Sequence, residues 1–347
     1  MNIILSIDYE IFGDGSGSMD TCMVKPLDNM LSIASDYNAS LSIFAETLEI
    51  QSLLTSAHHS QQANSVCRQL QTACKAGHDV QLHLHPQWHS ASVDVSNKSF
   101  TLHAENWRIG NVSKPVVEEL IKQGKHWLEQ LLQPACSDYQ CVAFRAGGWC
   151  IQPSKPVIEA LMNNDLYIDS TVAPGANNSV KEDWYDFRKA PDDLAFWKVY
   201  SDVTQPASTG LYELPITTGE IGYLKHLNII LSNMYFDSLA PDCVGSYGIP
   251  GIKESALLSK LNQLRKLSKL GHGMLDISTM PAETLIAITQ SWQRKFPANA
   301  DVTAVAIGHT KNFSKRAAIE FEKYLKWADA QNHQFITYQQ WHKNHTH

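Results

Sequence analysis

The chain begins Asn2-Ile3-Ile4-Leu5-Ser6-Ile7-Asp8-Tyr9-Glu10, a short apolar run that stops in two acids. A run of this length, rich in β-branched residues and without helical periodicity, reads as a strand buried on both faces. Segments of the same kind recur at Ser40 to Glu46, Asp79 to His85, Cys141 to Gly147, Leu166 to Val172, Leu211 to Thr217, Gly273 to Ser278 and Val302 to His309. Helix-like stretches separate them: Pro26 to Tyr37, Gln61 to Lys75, Lys114 to Leu132, Lys155 to Asn163, Lys253 to Leu270, Ala282 to Lys295 and Ser314 to Gln331. Strand and helix alternating this often predicts a parallel sheet with right-handed crossovers, of the kind found in a β/α barrel. A single domain over residues 1–347 is expected, since one barrel with loop insertions fills that length and no repeat or linker divides it. The stretch 173–209 is long for a connection and is expected to form an insertion facing the substrate.

Composition narrows the partners. With 44% hydrophobic and 18% charged residues the chain can bury a large core. Its net charge of -7 and lack of any basic run argue against nucleic acid or an anionic membrane as ligand, and no segment approaches the length of a membrane span. The first strand has no basic flank, so it reads as buried structure rather than a secretion signal. The seven cysteines form no C-x-x-C pair and read mostly as small buried fillers, which together with the first strand favours a cytoplasmic location. Fifteen histidines are the more informative excess, because imidazole is both a metal ligand and a proton carrier near neutral pH.

In parallel α/β sheets ligands gather beyond the carboxyl ends of the strands. Here those ends carry Asp8 with Glu10, Glu46, His83 with His85, Arg145, Asp169, Glu213, Asp276 and His309. Any one of these is unremarkable as a charge where a strand meets water; together they point to a site. His83 and His85, at i and i+2, project to one side of a strand, and the turn begun at Pro86 also brings His89 within reach. The imidazole pair is therefore His83 with His85, or His83 with His89. Two neutral imidazoles on a metal are commonly completed by a carboxylate, which Asp8-Tyr9-Glu10 supplies twice, so that one acid binds while the other accepts a proton. Trp149, Trp184, Tyr185 and Trp197 are candidates for stacking on a substrate ring.

Five segments resemble, in order, the motifs of the polysaccharide deacetylase family, the NodB-homology group also called carbohydrate esterase family four. They are Ile4 to Glu10, Gly77 to Pro86, Phe144 to Trp149, Tyr167 to Thr171 and Ala306 to Thr310. The acids here are separated by Tyr9, the histidines are spaced H-x-H, and Gly147-Gly148 stands where the family often has proline and an aromatic residue. The resemblance implies a distorted (β/α)7-type barrel with its active site at the carboxyl ends of the strands. It implies Asp8 as general base, with Glu10, His83 and His85 holding one divalent metal ion, expected to be zinc; His89 remains the substitute ligand. It further implies Arg145 orienting Asp8, His309 as general acid, and Asp169 fixing the tautomer of His309. The expected substrate is an acetylated sugar or glycan, and the branch brought to mind accompanies bacterial O-antigen synthesis. Two other readings compete: a glycoside hydrolase using Asp8 and Glu213 without metal, and a catalytically silent carbohydrate-binding protein.

Overall fold

The computed structural model describes residues 1–94, 99–221, 238–249, 272–297 and 302–345. The helix expected over Lys253 to Leu270 lies outside them. Among the described residues the main sheet has nine strands: β1 Asn2–Tyr9, β2 Leu41–Glu46, β3 Asp79–Leu84, β4 Ala143–Ala146, β5 Ile168–Asp169, β6 Trp197–Val199, β7 Leu211–Glu213, β8 Thr303–Ala306 and β9 Gln334–Phe335. Their order is β6-β7-β5-β4-β3-β2-β1-β8, with β9 also beside β1. Every pairing is parallel except that of β6 with β7.

The sheet curls, and the chain after β7 joins its two ends. Ile216 donates to the Val172 carbonyl at 2.8 Å, while Thr217 donates to the Val305 carbonyl on β8 at 2.9 Å. The result is a distorted β/α barrel. Most of the predicted strands are shorter than their apolar runs, and two show why. The segment Leu166 to Val172 pairs regularly only at β5, because Ser170 and Thr171 turn their hydroxyls to the Leu214 carbonyl and Asp169. From Gly273 to Ser278, the strand His272–Met274 pairs with Thr218–Glu220 outside the main sheet, after which Asp276 bridges Ile307 beside β8.

Helices cover the outside. The helix Lys114–Leu132 carries Pro115 in its first turn, which its fixed φ suits, and buries a stripe of Val117, Leu120, Ile121, Leu128 and Leu132. Each such aliphatic side chain contributes about 1.5–3 kcal/mol by leaving water. Gly124 lies on the same face, and a Cβ there would come within 2.7 Å of Leu82 on β3, so glycine lets the helix approach the sheet closely. The helix Tyr338–His345 seats Tyr338 and Trp341 in a second apolar cluster with Ile4, Phe44 and Val305. Residues 173–209 form a hairpin of Asn177–Ser179 with Trp184–Asp186, followed by β6.

Candidate active site

Register explains why the ionisable residues meet. Glu46 pairs with His83, His83 with Arg145, Phe144 with Asp169, and Asp169 with Glu213, so neighbouring strands end at one level. On β1, Asp8 bridges His309, and its N–H donates to the Gly308 carbonyl at 2.8 Å.

Glu10, His83 and His85 stand together with their ligand atoms within 4.8 Å of one another, all buried. Glu10 Oε2 lies 2.7 Å from His85 Nε2 and 3.3 Å from His83 Nε2. The His83 Nδ1 sits 2.8 Å from the Arg145 carbonyl, which can only accept, so the proton belongs on Nδ1 and the Nε2 lone pair faces Glu10. For His85 the partner of Nδ1 is the Gln87 amide, 3.0 Å away. That amide nitrogen also donates to the Gly13 carbonyl at 3.4 Å, which holds the Gln87 side chain, and the His85 ring beside it, in place. The buried Nε2 of His85 makes no well-aligned hydrogen bond among the described residues, Glu10 Oε2 being its ion-pair neighbour at 2.7 Å. Two imidazoles and a carboxylate converging in this way are a donor set suited to a divalent cation such as zinc. His89 ends the short turn Pro86–Trp88 and is not part of the cluster.

Asp8 is positioned by Arg145, which is fully buried. Its Nη1 donates to Asp8 Oδ1 at 2.6 Å, Nε to the Ser170 carbonyl at 2.8 Å, and Nη2 to Ser6 Oγ at 2.8 Å, while the guanidinium lies 4.1 Å over the Phe44 ring. Burial alone would raise the Asp8 pKa; Arg145 foremost, then His83 and His309, outweigh it and hold the carboxyl below its ordinary value. Oδ2 lies 3.5 Å from His309 Nε2. Burial lowers the His309 pKa, with Asp8 opposing.

Asp169 is not the partner of His309. It accepts from Thr171 Oγ1 at 2.6 Å and bonds Glu213, its register neighbour, because both project from the two-residue ladder of β5 and β7. The groups that bear on His309 electrostatically are Asp8, Lys311, Glu10 and Asp276, and Ser278, whose Oγ donates to Asp276, accepts the His309 N–H at 3.2 Å. Glu213 is fully buried with Asp169 and accepts from the Val172 N–H at 3.1 Å, so it is spent inside the barrel rather than facing Asp8 across a glycosidic bond.

Of the aromatic candidates, Trp149 stands 6.4 Å from the His309 ring and 5.8 Å from Tyr185. Tyr185 is mostly buried against Phe187, Trp184 lies under Arg108, and Trp197 is buried in the core. Two contributors escaped the sequence reading of the site: Lys311 places Nζ 2.6 Å from Glu10 Oε1, and Gln87 supports His85. Glu46, one of the strand-end acids, accepts the His85 N–H at 2.8 Å. Burial would raise the Glu10 pKa, but Lys311 and then His85 hold it well below the ordinary value. The position of Lys311 two residues after His309 was the available signal.

No family model and no curated protein matches the chain. Solved structures of similar fold include a 4-alpha-glucanotransferase from Thermococcus litoralis, with 9% identity and a TM-score of 0.50 over all of this chain and 40% of that one. They also include a Mycobacterium smegmatis protein assigned to the polysaccharide deacetylases, with 12% identity and a TM-score of 0.47 over 99% and 89% of the two chains. A CE4 family pseudoenzyme from Bacillus anthracis shares 8% identity, with a TM-score of 0.41 over 96% and 62%. At identities this low the likeness is one of fold alone.

Proposed function

We propose that the chain is a metal-dependent hydrolase that removes an acetyl group, N- or O-linked, from a sugar or polysaccharide precursor. The observation that carries this reading is the convergence of Glu10, His83 and His85 beside an Asp8 that a buried arginine holds in place. A divalent cation held by those three side chains, zinc being the one expected, would supply Lewis acidity toward the acyl carbonyl and the attacking water.

The rest falls to the chain itself. Arg145 occupies Asp8 Oδ1 and leaves Oδ2 to take the proton of the attacking water. His309, whose Nε2 lies 3.5 Å from that oxygen, delivers a proton to the departing nitrogen or oxygen, and the gap is short enough for Asp8 to return a proton to it afterwards. The sugar class rests on the resemblance of the five motif segments, whose O-antigen branch points to a nucleotide- or lipid-linked sugar.

The test is to measure acetate release and bound metal in two variants. Asp8→Asn should keep the metal and lose about 100- to 10,000-fold in turnover, the range for removing a general base. His83→Ala should lose the metal as well. Equal metal content in the two would refute the division of labour between them.

A further inference from the structure

Lys311 presents a question that the hydrolytic reading leaves open. Its side chain is buried, with Nζ 2.6 Å from Glu10 Oε1, 2.9 Å from the Ile11 carbonyl and 5.5 Å from the centre of the Phe12 ring. The backbone is pinned too: the Lys311 carbonyl accepts from Ala240 at 2.8 Å, and the short turn Thr310–Asn312 follows His309 directly. The Lys311 amine thus stands against one oxygen of the carboxylate whose other oxygen faces His83 and His85.

The charges around the cluster show what this does. Asp8 is matched by Arg145 and Glu10 by Lys311, each within 2.6 Å. Behind them Glu46 and Glu49 are spent on the backbone N–H groups of His85, Glu49 and Ile11. A divalent ion entering here meets a carboxylate already paired, and only Oε2 is left for it. We infer that Lys311 is a positioning residue that restricts Glu10 to one-oxygen contact with the cation and, through its own charge, keeps cation binding weaker than the donor set alone would make it. A cation bound loosely by its protein ligands keeps more of its charge for the substrate carbonyl, which is the chemical use of the arrangement.

This inference rests on the metal-centre reading above, and the experiment separates the two. Metal-free protein is titrated with Zn2+ against a chromophoric chelator, and its melting temperature is recorded without metal. Lys311→Met and Lys311→Gln should bind Zn2+ at least about ten-fold more tightly than the wild type, through loss of a like charge a few ångströms from the ion. Both should melt lower without metal, because the buried Glu10 then loses the ammonium against its Oε1. Lys311→Arg, which keeps the charge, should stay within about three-fold of the wild type in affinity. A lysine with a merely structural role would lower affinity and stability together, so unchanged or weaker binding in both neutral variants overturns the inference. Should Lys311→Met not remain folded without metal, chelator-driven release from loaded Lys311→Gln decides the matter, with slower release expected and equal or faster release against it. A wild-type protein that binds no Zn2+ would remove the metal centre and this inference with it.

Discussion

A Cβ built on Gly147 falls 2.5 Å from His85 Cγ and 2.6 Å from its Cδ2 and Nδ1, closer than such atoms approach one another. The glycine that departs from the family pattern is therefore a space-making residue for a candidate ligand, and the H-x-H spacing and the glycine belong to one arrangement. Gly147→Ala should push the ring away from Glu10, lowering metal affinity by about ten-fold or more while costing about 1–3 kcal/mol of stability, the range for overpacking. Metal titration beside a melting curve checks it, and an alanine variant with wild-type affinity would count against His85 as ligand. At this scale the sequence was legible where spacing alone carries geometry: Asp8 with Glu10 and His83 with His85 each share a side of one strand. It did not show the role of Lys311, whose nearness to His309 was the one local hint and whose partner Glu10 lies 301 positions away, brought close only by the fold.

At the scale of strands, the end-of-strand rule located the site but did not say which of two inward-facing acids serves it. Asp169 and Glu213 lie side by side on parallel neighbours, so they take each other as partners, and His309 is left to Asp8 and Asp276. Register between distant strands decides this, and register is not written in the period of either segment. The pair carries a pH signature. Burial first, and for Glu213 then the neighbouring Asp169, push both carboxyls up, Asp169 to about 6 and Glu213 well above its usual value, although Arg145 opposes. An acid whose folded pKa is raised holds its proton more firmly in the native state. The stability it lends is full below about pH 4 and is lost as pH rises through the folded value. For Asp169 the rise from 3.8 to about 6 is worth about 3 kcal/mol at most. Glu213→Gln supplies a neutral amide that donates to Asp169 and still accepts from Val172. It should therefore flatten the fall in melting temperature between pH 4.5 and 8 (about the span of this titration). Parallel pH profiles for wild type and variant would argue that the two carboxyls do not share a proton.

Across the whole molecule, alternation of strand and helix gave the architecture, yet the long-range ties that close it were invisible. The bond of Thr217 to β8 is one, and Cys22 to Cys243 is another. The cysteines were expected to be buried fillers; Cys67, Cys141 and Cys150 are buried and free, whereas Cys22 and Cys243 form a disulfide across 221 residues. It fastens residues 238–249 over the loop that leaves β1: Ser246 donates to Asp14, Tyr247 meets the Phe12 ring edge-on at 5.1 Å, and Asn312 donates to the Ser238 carbonyl at 3.2 Å. Phe12 is the ring beside Lys311, so this staple also steadies the flank of the candidate metal centre. Such bonds persist in oxidising compartments and are rare in a reducing cytosol. Counting thiols in protein denatured without reductant therefore tests both the bond and the expected cytoplasmic location, with the five free cysteines reactive if the pair is closed. Closing so long a loop restricts the unfolded chain by about 2–5 kcal/mol. Reduction by a dithiol, or Cys22→Ser, should then lower the melting temperature by about 3–7 °C for a chain of this size. Seven reactive thiols, or a melting temperature indifferent to the dithiol, would show that the two sulfurs merely lie close together.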